Sequence, residues 1–112
     1  MKKIEAIVRP EKLDEVRKAL EVSGYPGINI TQIEGHGKQK GVTQQWRGEV
    51  YKVDLLPKIK VEIVVSDKDQ EKILSTIQKA AGTGNVGDGK IFVSNVDEVV
   101  RIRTGERGER AL

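Results

Sequence analysis

The chain has 112 residues, a formal net charge of +3, no cysteine and 4% aromatic residues. That length bounds it to a single domain, residues 1–112, around one core, and the lack of cysteine excludes a disulfide framework and a thiolate metal site. No apolar run approaches the roughly 20 residues that span a bilayer, and Met1-Lys2-Lys3-Ile4-Glu5 carries no apolar leader, so a soluble, cytoplasmic protein is expected.

Lys3-Ile4-Glu5-Ala6-Ile7-Val8 alternates polar and β-branched or apolar residues and predicts a first strand. Arg9-Pro10 then opens a helix with Leu13, Val16 and Leu20 on one face and Gly24 as its stop. Ile28-Asn29-Ile30-Thr31-Gln32-Ile33 predicts a second strand. From Gly37 to Leu55 no clear period is visible, and a stretch of that length in a compact domain is usually functional or disordered. It carries Trp46, Arg47 and Tyr51, side-chain types enriched at interface hot spots; the alternative is that Trp46 packs back on its own domain.

Lys60-Val61-Glu62-Ile63-Val64-Val65 repeats the pattern of the first strand. After it, Ser66 is placed to cap a helix whose stripe is Ile73, Leu74, Ile77 and Ala81, stopped by Gly82. Val16 then corresponds to Ile73 and Leu20 to Ile77. Ile91-Phe92-Val93-Ser94-Asn95-Val96 predicts a last strand, and a short extra one is expected over Val99–Arg103. The sum is an α+β domain of ferredoxin-like βαββαβ order, an antiparallel sheet with both helices on one face. The other face mixes Ile7 and Val64 with Glu5, Lys60 and Glu62, which an oligomer covering part of it would explain.

Gly82-Thr83-Gly84-Asn85-Val86-Gly87-Asp88-Gly89-Lys90 fits G-x-G-x-x-G, yet it follows a helix and precedes a strand, the reverse of the dinucleotide fingerprint. A Walker A loop is excluded too, because Ile91 follows Lys90 where Ser or Thr should be. Four glycines in nine residues still let backbone N–H groups converge on an anion, with Lys90 adding charge. A flexible helix-to-strand connection is the plain alternative. Arg101, Arg103, Arg107 and Arg110 concentrate positive charge near the end, which fits a phosphate-bearing small molecule better than nucleic acid. RRM-type RNA binding lacks its stacking aromatics. The sole histidine, His36, has no second His or Cys to share a metal, and no acid/base pair or nucleophile elbow is seen, so no enzyme is expected.

Several segments in order resemble the PII signal-transduction proteins of nitrogen metabolism. They are Met1–Ile7, Gly35-His36-Gly37-Lys38-Gln39-Lys40-Gly41, Arg47-Gly48-Glu49-Val50-Tyr51, Leu56–Glu62, Thr83–Val93 and Arg101–Glu106. The resemblance implies a homotrimer with ATP or ADP between subunits. Its nucleotide site would comprise Ile7, Asn29, Gly35, Gly37, Lys38, Glu62, Val64, Thr83, Gly87, Asp88, Gly89, Lys90, Arg101 and Arg103. Gln39, Lys40, Gly41, Lys58 and Gly87 match positions that bind 2-oxoglutarate, with Mg²⁺ held by Gln39, the ATP phosphates and the keto acid. The 37–55 loop would be the signalling element, 82–90 the phosphate loop and 101–112 a C-terminal loop. Trp46, Arg47 and Tyr51 would meet partners, an ammonium channel or nitrogen-regulatory enzymes, so the membrane is reached only through a channel partner and nucleic acid not at all. Tyr51 also matches the tyrosine that some members have uridylylated. Lys38 stands where Arg is usual, His36 where Phe is common and Asn29 where Thr often meets the base; these departures touch ligand preference and not the fold. An acylphosphatase-like or ATPase activity, or a purely structural trimer like the copper-tolerance CutA proteins, are the rival functions on this architecture.

Overall fold

A computed structural model describes residues 1–35, 42–46, 49–53 and 56–112. Its elements are β1 (Lys2–Val8), α1 (Leu13–Val22), β2 (Asn29–Gly35), β3 (Val42–Trp46), β4 (Glu49–Val53), β5 (Leu56–Val65), α2 (Gln70–Ala81) and β6 (Lys90–Asn95). Each long helix is entered through one 3₁₀ turn, Pro10–Lys12 or Asp67–Asp69.

The main sheet is antiparallel with strand order β2-β5-β1-β6. With α1 and α2 on one side it is the ferredoxin-like α+β fold expected from the sequence. Period-two alternation decides which face is dry. Ile4, Ala6 and Val8 from β1 and Ile59, Val61, Ile63 and Val65 from β5 meet Val16, Leu20, Ile73, Ile77 and Ala81 in one buried cluster. The internal repeat is therefore physical: Val16 and Ile73, and Leu20 and Ile77, occupy equivalent buried positions on the two helices.

α1 ends as its sequence dictates. Gly24 takes φ +94°, its N–H bonds the carbonyl of Glu21, and the N–H of Tyr25 bonds that of Leu20. This is the 6→1, 5→2 pairing that satisfies terminal carbonyls. Ser66 departs from expectation: it precedes the 3₁₀ turn, but its hydroxyl caps nothing, and the turn closes through Asp69 N–H on the Ser66 carbonyl.

Two other expectations are corrected. Val99–Arg103 is not a strand. Only Val100 bridges Arg107, because the chain turns back at Gly105 (φ +73°), with Arg101 N–H on Glu106 O and Gly105 N–H on Arg101 O. The 37–55 stretch is not without secondary structure, since β3 and β4 pair antiparallel from Val42↔Val53 to Trp46↔Glu49. Pro57 is tolerated within β5 because that end pairs with β2 alone, leaving no β1 rung for its missing N–H to break.

Candidate functional site

Opposite the core, the sheet presents ordered rows. One runs Asn29–Glu62–Glu5–Phe92 across β2, β5, β1 and β6; the next runs Thr31–Lys60–Ile7–Lys90. Glu5 and Glu62 face each other directly, a like-charge pair that costs stability unless neutralised. Lys3 does so, with its amine 2.9 Å from Glu5 and 3.5 Å from Glu62. The Lys3 hydrogen bond holds the Glu5 carboxyl below the usual range, and Glu5 in turn raises Lys3. Phe92 closes the row while 54% exposed. Ile7 sits between two lysines in its row, and Val64 pairs with Lys3 in the row beyond.

Across the end of the sheet where β1 stops and β6 begins stands the loop 82–90, in contact with Ile7, Arg9 and Lys58. α2 stops at Ala81 because Gly82 turns extended. The loop is then drawn against the end of β1: a Cβ on Gly89 would lie 1.7 Å from the Ile7 carbonyl oxygen, and φ there is +96°. Only glycine fits. Gly84 and Gly87 are also left-handed, at +85° and +102°.

Asp88 turns inward and organises the loop. Its carboxylate accepts the N–H groups of Thr83 and Gly84, each at 2.8 Å, the Thr83 hydroxyl, and Arg9 Nε at 3.0 Å. The Thr83 hydroxyl and backbone N–H, then the Arg9 and Gly84 contacts, hold its carboxyl far below the ordinary carboxylate range. Arg9 also donates Nη2 to the Val86 carbonyl at 2.9 Å. Lys58, from β5, is 7% exposed and donates its amine to the Gly87 carbonyl at 2.5 Å. Burial lowers its pKa, Arg9 adds to the effect, and Glu11 and Asp88 oppose it.

A cavity of about 490 Å³ lies between this loop, the end of β1 and the C-terminal part of α2, lined among others by Ile7, Ile77, Gln78, Asp88, Gly89 and Lys90. Thus Ile7, Asp88, Gly89 and Lys90 of the expected nucleotide set come together, with Thr83 and Gly87 in the same loop. Asn29, Glu62 and Val64 lie on the open sheet face, and Gly35 ends β2 opposite Leu56. Arg101 is placed elsewhere, on its own C-terminal loop: Nη1 is 2.8 Å from Glu106, and Nη2 donates to the carbonyls of Arg110 and Leu112. Arg103 lies in the turn that follows. Gly37, Lys38, Gln39, Lys40, Gly41 and Arg47 fall outside the described residues. Trp46 ends β3, and Tyr51 lies in β4 paired with Gln44. Among the described residues no cluster of three or more His, Asp or Glu is arranged to hold a metal ion, and no helix is long and apolar enough to cross a membrane.

Sequence reasoning missed Arg9, which it read only as a helix opener; nothing local marks a residue that works 79 positions away. It also missed the β3–β4 hairpin, although Val42-Thr43-Gln44-Gln45-Trp46 and Glu49-Val50-Tyr51-Lys52-Val53 alternate around a two-residue connection.

Fold and site together define a small ferredoxin-like α+β domain with a glycine loop fixed in shape at one end of the sheet and lysines around it. The family described as Nitrogen regulatory protein P-II matches residues 1–106. The chain is 57% identical, over all its 112 residues and 97% of the relative, to nitrogen regulatory protein P-II 2 of Methanothermobacter thermautotrophicus. It is 57% identical to nitrogen regulatory protein P-II of Rhizobium meliloti and 58% to that of Rhizobium leguminosarum bv. viciae, in both cases over the full length of each chain. The chain belongs to the nitrogen regulatory protein P-II family, whose members are named as regulators and not as enzymes.

Proposed function

We propose that this protein is an allosteric sensor that binds ATP or ADP together with 2-oxoglutarate and controls target proteins through the shape of its 37–55 loop. The observation that carries the reading is the loop 82–90, held by Asp88 and flanked by Lys90 and Lys58. Glycine N–H groups beside lysines suit a phosphate chain, and the cavity of about 490 Å³ lies within the range of small-molecule sites. Ile7, Glu62 and Val64 would border the adenine. Gly87, Gly89 and Lys90 would hold phosphates, with Lys38, Arg101 and Arg103 completing the clamp from a neighbouring subunit of a homotrimer.

Lys58, a sequestered cation next to Gly87, is suited to a carboxylate of 2-oxoglutarate, joined by Gln39, Lys40 and Gly41. Mg²⁺ takes oxygen ligands and needs few from the protein when phosphates and a keto acid supply them, so Gln39 alone would suffice. Ligands that prefer different loop shapes shift the population that partners read, an ammonium channel or nitrogen-assimilation enzymes in the cytoplasm. A differential binding energy of about 1–3 kcal/mol is enough. Trp46, Arg47 and Tyr51 would form the docking surface, and uridylylation of Tyr51 would disrupt it by bulk and charge.

The test is calorimetric titration with ATP, with and without Mg²⁺ and 2-oxoglutarate. Binding of 2-oxoglutarate only in the presence of Mg-ATP upholds the reading. Failure to bind any adenine nucleotide overturns it in favour of a structural oligomer.

A further inference from the structure

Three successive residues of the loop, two through their peptide carbonyls and one through its side chain, are held by side chains distant in sequence. Arg9 Nη2 bonds the carbonyl of Val86, Lys58 Nζ bonds that of Gly87, and Arg9 Nε bonds the carboxylate of Asp88, at 2.9, 2.5 and 3.0 Å. In a planar trans peptide the C=O and the N–H of one unit point in opposite directions. With the carbonyls of Val86 and Gly87 drawn onto Arg9 and Lys58, the N–H groups of Gly87 and Asp88 must point away from those cations.

Gly87, at φ +102°, has no Cβ to oppose this reversal. Asp88 would be costly beside the anion its loop is proposed to bind. Its charge is instead absorbed by Thr83, Gly84 and Arg9. Arg9 thus does two jobs with one planar fork, turning a carbonyl inward and neutralising a carboxylate from two different nitrogens, a fixed geometry that a lysine's single nitrogen does not reproduce. Its backbone is fixed as well, since it is the extended residue between β1 and the turn at Pro10.

Resting on the sensor reading above, we propose that Arg9 is a positioning residue for the phosphate loop: its guanidinium, bridging the Val86 carbonyl and Asp88, sets the Gly87 and Asp88 N–H groups outward to receive phosphate oxygens. Arg9 does not itself touch the ligand. It presets the donors, so that ligand binding need not order them.

The experiment compares the full chain with its R9Q and R9K variants in two measurements. In nucleotide-free protein, the amide NMR signals of Gly84, Gly87 and Gly89 and their hydrogen exchange report the loop directly. In R9Q these signals are expected to shift and exchange faster while core amides such as those of Val16 and Ile77 stay unchanged. In titrations, R9Q is expected to lose on the order of tenfold in affinity for ATP, the size of one charge-assisted hydrogen bond, while adenosine, which lacks phosphates, binds as before. R9K, which keeps the charge and loses the fork, is expected to recover part of the ATP affinity. Unchanged loop amides in R9Q, or equal losses for ATP and adenosine, overturn the proposal. If the unaltered protein binds no nucleotide, the sensor reading fails by itself, and the loop amides still decide whether Arg9 sets the loop.

Discussion

The amine of Lys58 lies 2.5 Å from the carbonyl oxygen of Gly87, 29 residues further along the chain, so the second half of the sheet and the glycine loop share one hydrogen bond. A carboxylate that reaches Lys58 would therefore share its ammonium with a carbonyl of that loop.

Lys58→Met keeps the length of the stem and removes the charge. The relief of a desolvated ammonium and the loss of a partner for Gly87 O oppose each other, so stability is expected to move by no more than about 1 kcal/mol. On the proposed sensor reading, binding of 2-oxoglutarate should vanish while ATP binding survives. Thermal unfolding and calorimetry on the same sample check both halves.

Asp88 sets an acid limit. Its carboxyl titrates lower in the folded protein than in the unfolded chain, so at low pH the unfolded state binds more protons, and stability rises with pH across that range. The contribution of Asp88 is fully present above its unfolded pKa, about 4, and is lost as pH falls through the folded value. Asp88→Asn should flatten this acid slope, measured by urea unfolding from pH 6 downward. An unchanged slope would contradict the contacts described for its carboxylate.

Burial gives Lys58 a slope of the same sign at the basic end. Its folded pKa is lowered, so between that value and the unfolded one the unfolded chain holds the extra proton, and stability rises with pH there. Lys58→Met should abolish this alkaline gain in the same unfolding series.

Gly89→Ala and Gly84→Ala separate close approach from backbone preference. Both positions have positive φ, but a Cβ at 84 meets nothing within 4 Å, whereas at 89 it would collide with Ile7 O at 1.7 Å. Gly84→Ala should cost about 1 kcal/mol, and Gly89→Ala on the order of 2–4 kcal/mol and, on the proposed sensor reading, ATP binding as well. Urea denaturation gives the two values.

Ile77→Ala, in the middle of the core and 1% exposed, should cost about 2–5 kcal/mol through lost burial and a residual cavity. Denaturant midpoints check it. Val22→Ala, 89% exposed at the end of α1, should be nearly neutral by the same measurement.

What was legible in the sequence followed from periodicity. The alternation in Lys3–Val8 and Lys60–Val65 and the 3.6-residue stripes through Val16, Leu20, Ile73 and Ile77 are local signals of burial, and they determined the fold. Gly82–Lys90 was legible as a tightly turned loop from its glycines, three of which, Gly84, Gly87 and Gly89, take positive φ. What it lacked was the reason for its shape, because Arg9 and Lys58 reach it across the sheet and no spacing rule connects them to Val86, Gly87 and Asp88. The strand expected at Val99–Arg103 failed because β-branched residues there compete with Gly105 and with the acceptors on Glu106, which close a turn instead. Ser66 looked like a cap by type, yet backbone closure of the 3₁₀ turn left its hydroxyl without that work.

The pairing of Gly35 with Leu56 places both ends of residues 36–55 on one rung of the sheet. Closure entropy grows only with the logarithm of length, so shrinking that excursion to a four-residue turn would change stability by about 1.4 kcal/mol. The fold of the body therefore tolerates changes in the length of what it carries there. If the proposed role of the 37–55 loop holds, partner choice could drift by rewriting this segment while the buried core keeps its own separate constraints.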